Sequence, residues 1–165
     1  MFKFTRKKLQ KLMSENGGNL NLYNSSIEKL PNNFTVVGDL DLSNSNIKKL
    51  PKGLKVGGDL NLNYTVINKL PQDIIVRGRI GLRFAYISEL PEKFISNGCL
   101  DLSYSKITEL PENLIVKGDL YLGSTKIRKL PKRMKVYGTL YINDTEIKEI
   151  PDSVDISGGI KLSLI

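Results

Sequence analysis

Residues 38–57 read GDLDLSNSNIKKLPKGLKVG, and residues 58–77, GDLNLNYTVINKLPQDIIVR, repeat the same pattern with no insertion or deletion. This 20-residue period runs through the chain, so that all seven prolines share one position of the repeat and eight of the fourteen glycines share another. A strict period of this length is typical of a solenoid, in which each coil buries its apolar residues against its neighbours.

Each repeat predicts two short extended segments. Leu40 and Leu42 alternate with polar residues, which is the period of a strand with one buried face. Pro51 fixes the backbone at the next corner and stops helix formation there. We therefore predict strands near residues 20–22 and at their equivalents in later repeats. A second, less regular extended layer should lie near residues 34–36 and their equivalents.

The unit L-x-L-x-x-[ST]-x-I-x-x-L-P resembles the short, "LP"-containing leucine-rich repeats of bacteria. Such repeats form the recognition domains of effectors secreted by enteric pathogens, and similar arrays occur in phage and bacterial proteins. The resemblance covers residues 18–165, as seven complete units and a partial eighth. Together with the period, it implies a right-handed, mainly β solenoid with little helix on its convex side. It also implies that the chain binds another protein.

The Ser or Thr of this unit stands where such repeats usually carry the asparagine of a side-chain ladder. We expect its hydroxyl, as at Thr65, to bond to backbone amides in the turn. Ala85 lacks the hydroxyl. The repeated glycine, such as Gly38, should supply either a positive φ or a close approach between coils.

The first 17 residues lie outside the repeat and predict one helix. Leu9 and Met13 are spaced as on one helical face, and Thr5 is suited to the N-cap. We predict a helix over residues 5–14 that caps the first coil, because terminal repeats need a polar outer face. A basic arm for an anionic partner is the alternative. The predicted domains are thus the capping helix, 1–17, and the solenoid, 18–165.

Composition argues against an enzyme. The chain has no histidine and one cysteine, Cys99, so it lacks the usual general base and the commonest metal ligands. We predict a non-enzymatic protein without cofactor or metal. No apolar run is long enough to span a bilayer, and the N-terminus lacks a signal-peptide pattern. We therefore expect a cytoplasmic protein, in a bacterium or in an infected host cell.

The outward positions that differ from the consensus concentrate in the middle coils. Exposed aromatic residues beside arginine often anchor protein interfaces, although the rings could instead cover the bend and stabilise the stack of coils. Three isoleucines on the other side would form an apolar stripe of the kind that marks partner surfaces, unless the coil twists and buries them. The predicted partner-binding residues are Tyr64, Arg79, Arg83, Phe84, Tyr104 and Tyr121 on one side, and Ile75, Ile95 and Ile115 on the other.

Charge supports a second hypothesis. The net charge of +8 includes two lysine-rich clusters, at residues 48–55 and 126–135, with four glutamates between them. These clusters could bind nucleic acid or another anionic surface, including a membrane surface. A nucleic-acid-binding protein usually presents a continuous positive track, and this pattern is interrupted.

The C-terminal segment predicts an open end of the stack. Ile160, Leu162, Leu164 and Ile165 are apolar and no capping sequence follows them. Uncovered strand edges promote association, so a homodimer joined end to end through the C-terminal coil is one prediction. The alternatives are a tail that folds back over the end and a truncated sequence.

Overall fold

The computed structural model describes residues 4–162, which form one helix and a series of two-residue strands. Helix α1 spans Arg6–Glu15. The strands are β1 Leu20–Asn21, β2 Thr35–Val36, β3 Leu40–Asp41, β4 Lys55–Val56, β5 Leu60–Asn61, β6 Ile75–Val76, β7 Ile80–Gly81, β8 Ile95–Ser96, β9 Leu100–Asp101, β10 Ile115–Val116, β11 Leu120–Tyr121, β12 Lys135–Val136, β13 Leu140–Tyr141, β14 Asp155–Ile156 and β15 Ile160–Lys161.

The strands stack into two layers, as the period predicts. All the odd-numbered strands form one parallel sheet of eight strands, in which each residue pairs with the residue 20 positions later, as Leu20 does with Leu40. The even-numbered strands form the second layer, a sheet of β2, β4 and β6 and a sheet of β8, β10, β12 and β14. The predicted solenoid of short parallel strands, with a single N-terminal helix in the described residues, is confirmed.

The core is a continuous column of side chains between the two layers. One coil contributes Leu40, Leu42, Ile47, Leu54 and Val56, none of them more than 1% exposed. The equivalent residues of the neighbouring coils lie directly above and below them. Burial of apolar surface, at about 25 cal/mol per Å², therefore provides the main driving force for stacking.

Helix α1 packs against the first coil. The Thr5 hydroxyl accepts a hydrogen bond from the Lys8 amide at 3.3 Å, which makes Thr5 the N-cap. Leu9 is fully buried and Met13 nearly so, and both belong to the same apolar cluster as the coils. The Gly18 amide donates to the Met13 carbonyl at 2.8 Å and ends the helix. That this helix is a separate capping unit stays a prediction, tested below.

The repeated glycines allow close approach between coils. From Gly38 to Gly138 their φ angles lie outside the left-handed region. A Cβ atom built on Gly98 would lie 2.8 Å from the Gly78 carbonyl carbon, which is closer than packed atoms come. The expectation of a positive φ is therefore wrong for these positions. The expectation of a close approach between coils is the one that the structure supports.

The turn hydroxyls bond mostly to carbonyls. Thr65 Oγ1 donates to the Leu62 carbonyl at 2.7 Å, and Ser45, Thr125 and Thr145 make the same bond, whereas the buried Ser25 Oγ has no hydrogen-bond partner among the described residues. The expectation of a bond to an amide is wrong for these coils, and it holds only loosely at Ser105, whose Oγ accepts from the Ile107 amide at 3.5 Å. Ala85, without a hydroxyl, keeps the turn through its own amide, which donates to the carbonyl three residues earlier at 3.0 Å.

A side-chain ladder does run along the solenoid, one residue before each odd-numbered strand. Asn19 Oδ1 accepts from the Asp39 amide at 2.8 Å, Asp39 Oδ1 from the Asp59 amide at 2.7 Å, and Asp59 Oδ1 from the Arg79 amide at 2.7 Å. Arg79 interrupts the ladder because arginine has no acceptor. Beyond it, Cys99 Sγ accepts from the Asp119 amide at 3.4 Å and Asp119 Oδ1 from the Thr139 amide at 2.7 Å. The side-chain ladder of this chain thus lies in the column that precedes the strands, and not at the Ser or Thr of the turn.

The second layer is divided between β6 and β8. Ser96 occupies a fully buried position that is valine in most other coils, and its Oγ donates to the Gly98 carbonyl at 3.0 Å. The Asn97 side chain donates to the Val76 carbonyl at 2.9 Å, where the other coils use a backbone amide. The coils remain joined there by the eight-stranded sheet, in which β7 pairs with β9.

Candidate interaction surface

Three aromatic side chains from successive coils stack at the bend that follows each odd-numbered strand. The ring centroids of Tyr64 and Phe84 are 5.0 Å apart and those of Phe84 and Tyr104 are 4.5 Å apart, with interplanar angles of 15° and 17°. The Arg83 guanidinium carbon lies 4.6 Å from the Tyr104 ring centroid and 5.2 Å from that of Phe84. These four predicted residues therefore form one cluster, which we call the aromatic stack.

The backbone beneath the aromatic stack is strained. Tyr64, Phe84 and Tyr104 have φ angles of 58°, 55° and 58°, in a left-handed region that bulky side chains rarely adopt. The same column in the other coils carries residues that tolerate this conformation better or are smaller: Asn24, Asn44, Ser124 and Asp144.

Stability does not account for the three rings. Each left-handed residue costs on the order of 1 kcal/mol or more, and each stacked pair contributes about 0.5–1.5 kcal/mol. The two stacked pairs together contribute about 1–3 kcal/mol, which at most matches the strain of about 3 kcal/mol or more at the three residues. Sequence reasoning could not identify this strain, because the φ angles follow from the turn rather than from residue type.

The rings remain open to solvent although they cover one another's faces. Tyr64 is 58% exposed, Phe84 38% and Tyr104 36%. The rings thus stack along the bend, as one sequence-based interpretation expects, and their outer edges form an exposed apolar surface; that this surface binds a partner stays a prediction. Because the faces are largely occupied by neighbouring rings, a ligand would meet ring edges and the tyrosine hydroxyls.

A notch interrupts the surface of the eight-stranded sheet beside the aromatic stack. Gly81 has no side chain, whereas its partners in the adjacent strands are Asn61 and Asp101. The resulting depression has a volume of about 410 Å³, and Arg79 and Tyr121 lie in its wall. We call it the strand-face notch. In the sequence, Gly81 interrupts a polar column, which is a signal for a break in the sheet surface but does not give the size of the depression.

Tyr121 belongs to the notch and not to the aromatic stack. Its ring stacks on Tyr141, with centroids 4.4 Å apart and an interplanar angle of 9°. Its hydroxyl donates to Asp119 Oδ2 at 3.1 Å. Burial, reinforced by the negative charge of Asp119, raises the pKa of Tyr121 well above its ordinary value. The hydroxyl therefore stays protonated well above physiological pH.

The predicted isoleucine stripe lies on the second layer. Ile75 is 47% exposed and Ile95 49% exposed, while Ile115 is half-buried. Ile95 and Ile115 pair in register, but Ile75 belongs to the other sheet of this layer. The stripe is thus divided at the same place as the layer itself.

The lysine-rich clusters are interleaved with carboxylates. Lys48 Nζ lies 3.3 Å from Glu28 Oε1, and Arg128 Nε lies 2.8 Å from Glu146 Oε2, each pair joining adjacent coils. Exposed pairs of this kind contribute little to stability, but they reduce the local positive potential. That these clusters bind an anionic polymer stays a prediction.

The apolar residues of the C-terminal coil are exposed where the structure describes them. Ile160 is 40% exposed and Leu162 73% exposed, while Leu164 and Ile165 lie outside the described residues, so the end-to-end homodimer stays a prediction.

Across residues 4–162, no group of three or more histidine, cysteine or acidic residues could hold a metal ion. Over the same range, α1 is too short and too polar to cross a bilayer and there is no other helix.

The architecture matches a known structure. YopM from Yersinia enterocolitica WA-314 superposes with a TM-score of 0.57 and 19% sequence identity, over 93% of this chain and 36% of the YopM chain. The fold is a leucine-rich-repeat solenoid. The chain thus spans about a third of the length of the protein it matches. No family model and no curated protein matches the sequence. The resemblance read from the repeat is confirmed as a similarity of fold.

Proposed function

We propose that this leucine-rich-repeat solenoid is a non-enzymatic module that binds another protein through its middle coils. The observation that carries the proposal is the aromatic stack: Tyr64, Phe84 and Tyr104 are exposed and occupy strained positions where other coils place smaller residues. Strain at exposed residues that the fold does not need is typical of functional sites. Aromatic residues and arginine are also the side chains that most often dominate protein interfaces.

The proposed contact surface has two parts. The first combines the aromatic stack with the notch, and the second is the apolar stripe on the other layer. The residues of the first part are Tyr64, Arg79, Arg83, Phe84, Tyr104 and Tyr121; those of the second are Ile75, Ile95 and Ile115. The first part contains the central anchors, because it joins apolar ring edges to an adjacent polar depression.

The biological setting remains a prediction from the resemblance. A role as an effector, or as a phage inhibitor of a host protein, agrees with the repeat type and with the likeness to YopM, which extends over 36% of that chain. A cytoplasmic location is part of the same prediction. The alternative function, binding to nucleic acid or another anionic surface through the lysine-rich clusters, has less support because carboxylates interrupt those clusters.

Replacing two rings with asparagine should strongly weaken binding and preserve the fold. In Phe84→Asn/Tyr104→Asn, each new side chain adopts a φ that Asn24 and Asn44 already adopt, and those two asparagines hydrogen-bond across coils at 3.0 Å. We expect partner capture to fall at least ~30-fold, which corresponds to about 2 kcal/mol, the cost of losing an interface anchor. The measurement is affinity capture from candidate host lysates with quantitative mass spectrometry.

A matched control is available in the first coil. Tyr23 is 59% exposed, and its equivalent in the next coil is serine, so Tyr23→Ser removes an exposed ring without disturbing the repeat. This variant should capture the partner as the wild type does. Equal capture by the wild type and the double variant, with circular dichroism showing both folded, would contradict the proposed surface.

A further inference from the structure

We propose that the strand-face notch receives an arginine side chain of the protein partner, beside the apolar contact made by the aromatic stack. This inference rests on the proposed function, since it specifies the chemistry of the same partner. It predicts a basic residue next to an apolar residue in the segment that docks on the eight-stranded sheet.

The outer face of that sheet differs in charge from the rest of the molecule. The chain carries a net charge of +8, yet the outward positions within and beside the odd-numbered strands carry more acid than base. The aspartates are Asp39, Asp41, Asp59, Asp101 and Asp119, and the cations are Arg79, Arg83 and Lys161. A partner segment that docks on this face is therefore complementary when it is basic.

The fold does not require the negative charges around the notch. Asp59 Oδ1 accepts a backbone amide of the next coil, and Asn19 does the same in the first coil. Asp101 Oδ1 accepts the amide two residues later at 2.9 Å, and Asn61 does so at 3.1 Å. Asparagine thus satisfies both backbone roles, so the charge at these aspartates is free to act on a ligand.

Each of these carboxylates retains an unused oxygen. Within residues 4–162, Oδ2 of Asp59 and Oδ2 of Asp101 have no hydrogen-bond partner. Both residues line the notch, together with Asp119, whose Oδ2 accepts from Tyr121. A planar guanidinium carries five donors and pairs well with carboxylate oxygens.

The notch has room for a long side chain. Its volume of about 410 Å³ falls within the ~300–1,000 Å³ of typical ligand pockets, and it opens where Gly81 leaves the sheet uncovered. An arginine that enters there can lay its methylene groups on the glycine backbone and direct its charged end to the carboxylates.

Arg79 modulates this site. It lines the notch and forms no ion pair with any other described residue. The notch is lined by three carboxylates, and the positive charge of Arg79 reduces their net charge from −3 to −2. Removing Arg79 should therefore strengthen the binding of a cationic side chain, whereas removing a carboxylate should weaken it.

The test is a titration of the full chain followed by amide chemical shifts. The probes are three capped tripeptides that differ only in the central residue: Ac-Gly-Arg-Gly-NH₂, its uncharged citrulline counterpart and its glutamate counterpart. We expect the arginine peptide to shift the amides of Gly81 and Asp101 and to bind at least ~10-fold more tightly than the citrulline peptide. Asp101→Asn should weaken that binding several-fold, and Arg79→Gln should strengthen it.

The outcomes separate this inference from the proposed function. A glutamate peptide that binds as tightly as the arginine peptide would overturn it, as would arginine-dependent shifts confined to the acidic turns around Glu89 and Glu109. The absence of saturable shifts at the notch at millimolar peptide would also overturn it. In each of these cases, loss of partner capture by Phe84→Asn/Tyr104→Asn would leave the proposed function intact.

Discussion

Gly118→Ala is expected to lower the free energy of unfolding by about 3 kcal/mol, the upper part of the range for overpacked sites. A Cβ atom at this position would lie 2.6 Å from the Cys99 amide nitrogen and 2.8 Å from the Gly98 carbonyl carbon. Both contacts are with backbone, which cannot move without separating two coils. The measurement is equilibrium unfolding in urea.

The matched control is Gly81→Ala in the strand-face notch. There the nearest atom to a new Cβ is the Asn63 side-chain oxygen, at 3.0 Å, and a side chain can shift slightly. We expect a loss below about 1 kcal/mol. Equal stability of the Gly118 and Gly81 variants would contradict the close-approach role of the repeated glycine.

Leu9→Ala is expected to cost about 3 kcal/mol, within the range for fully buried leucines. The side chain is 0% exposed and packs into the same apolar cluster as the first coil, so its truncation leaves a cavity at the end of the stack. The effect should appear in urea unfolding and as increased binding of a hydrophobic dye.

Gln10→Ala provides the control for helix α1. Gln10 is exposed and alanine has a high helix propensity, so this variant should match the wild type or exceed it slightly. If Leu9→Ala unfolds at the same urea concentration as Gln10→Ala, the helix does not cap the coils.

The fold was predictable because one pattern specifies it many times. Leucine or isoleucine recurs every 20 residues at the positions of Leu40, Leu42 and Ile47, so the inward face, the strand positions and the pairing register follow from the sequence directly. The N-terminal helix was predictable because its signals are local: Thr5 is a favoured N-cap residue, and Leu9 and Met13 are spaced as on one helical face.

The details of the surface depend on geometry that a pattern does not contain. The left-handed φ of Phe84 is imposed by the turn. Asp101 has a free Oδ2 because only its Oδ1 accepts a backbone amide. The second layer is divided where the Asn97 side chain, and not a backbone amide, donates to the Val76 carbonyl. Each of these features required the positions of atoms in neighbouring coils.

The most direct test of the central claim, that the middle coils contact a protein partner, is photocrosslinking from position 84. A benzophenone amino acid there, in place of Phe84, should yield one dominant covalent adduct with a partner protein, identified by mass spectrometry. The same group at Tyr23, in the first coil, should yield little or none of that adduct. An adduct formed equally from both positions, or from Tyr23 alone, would contradict the account.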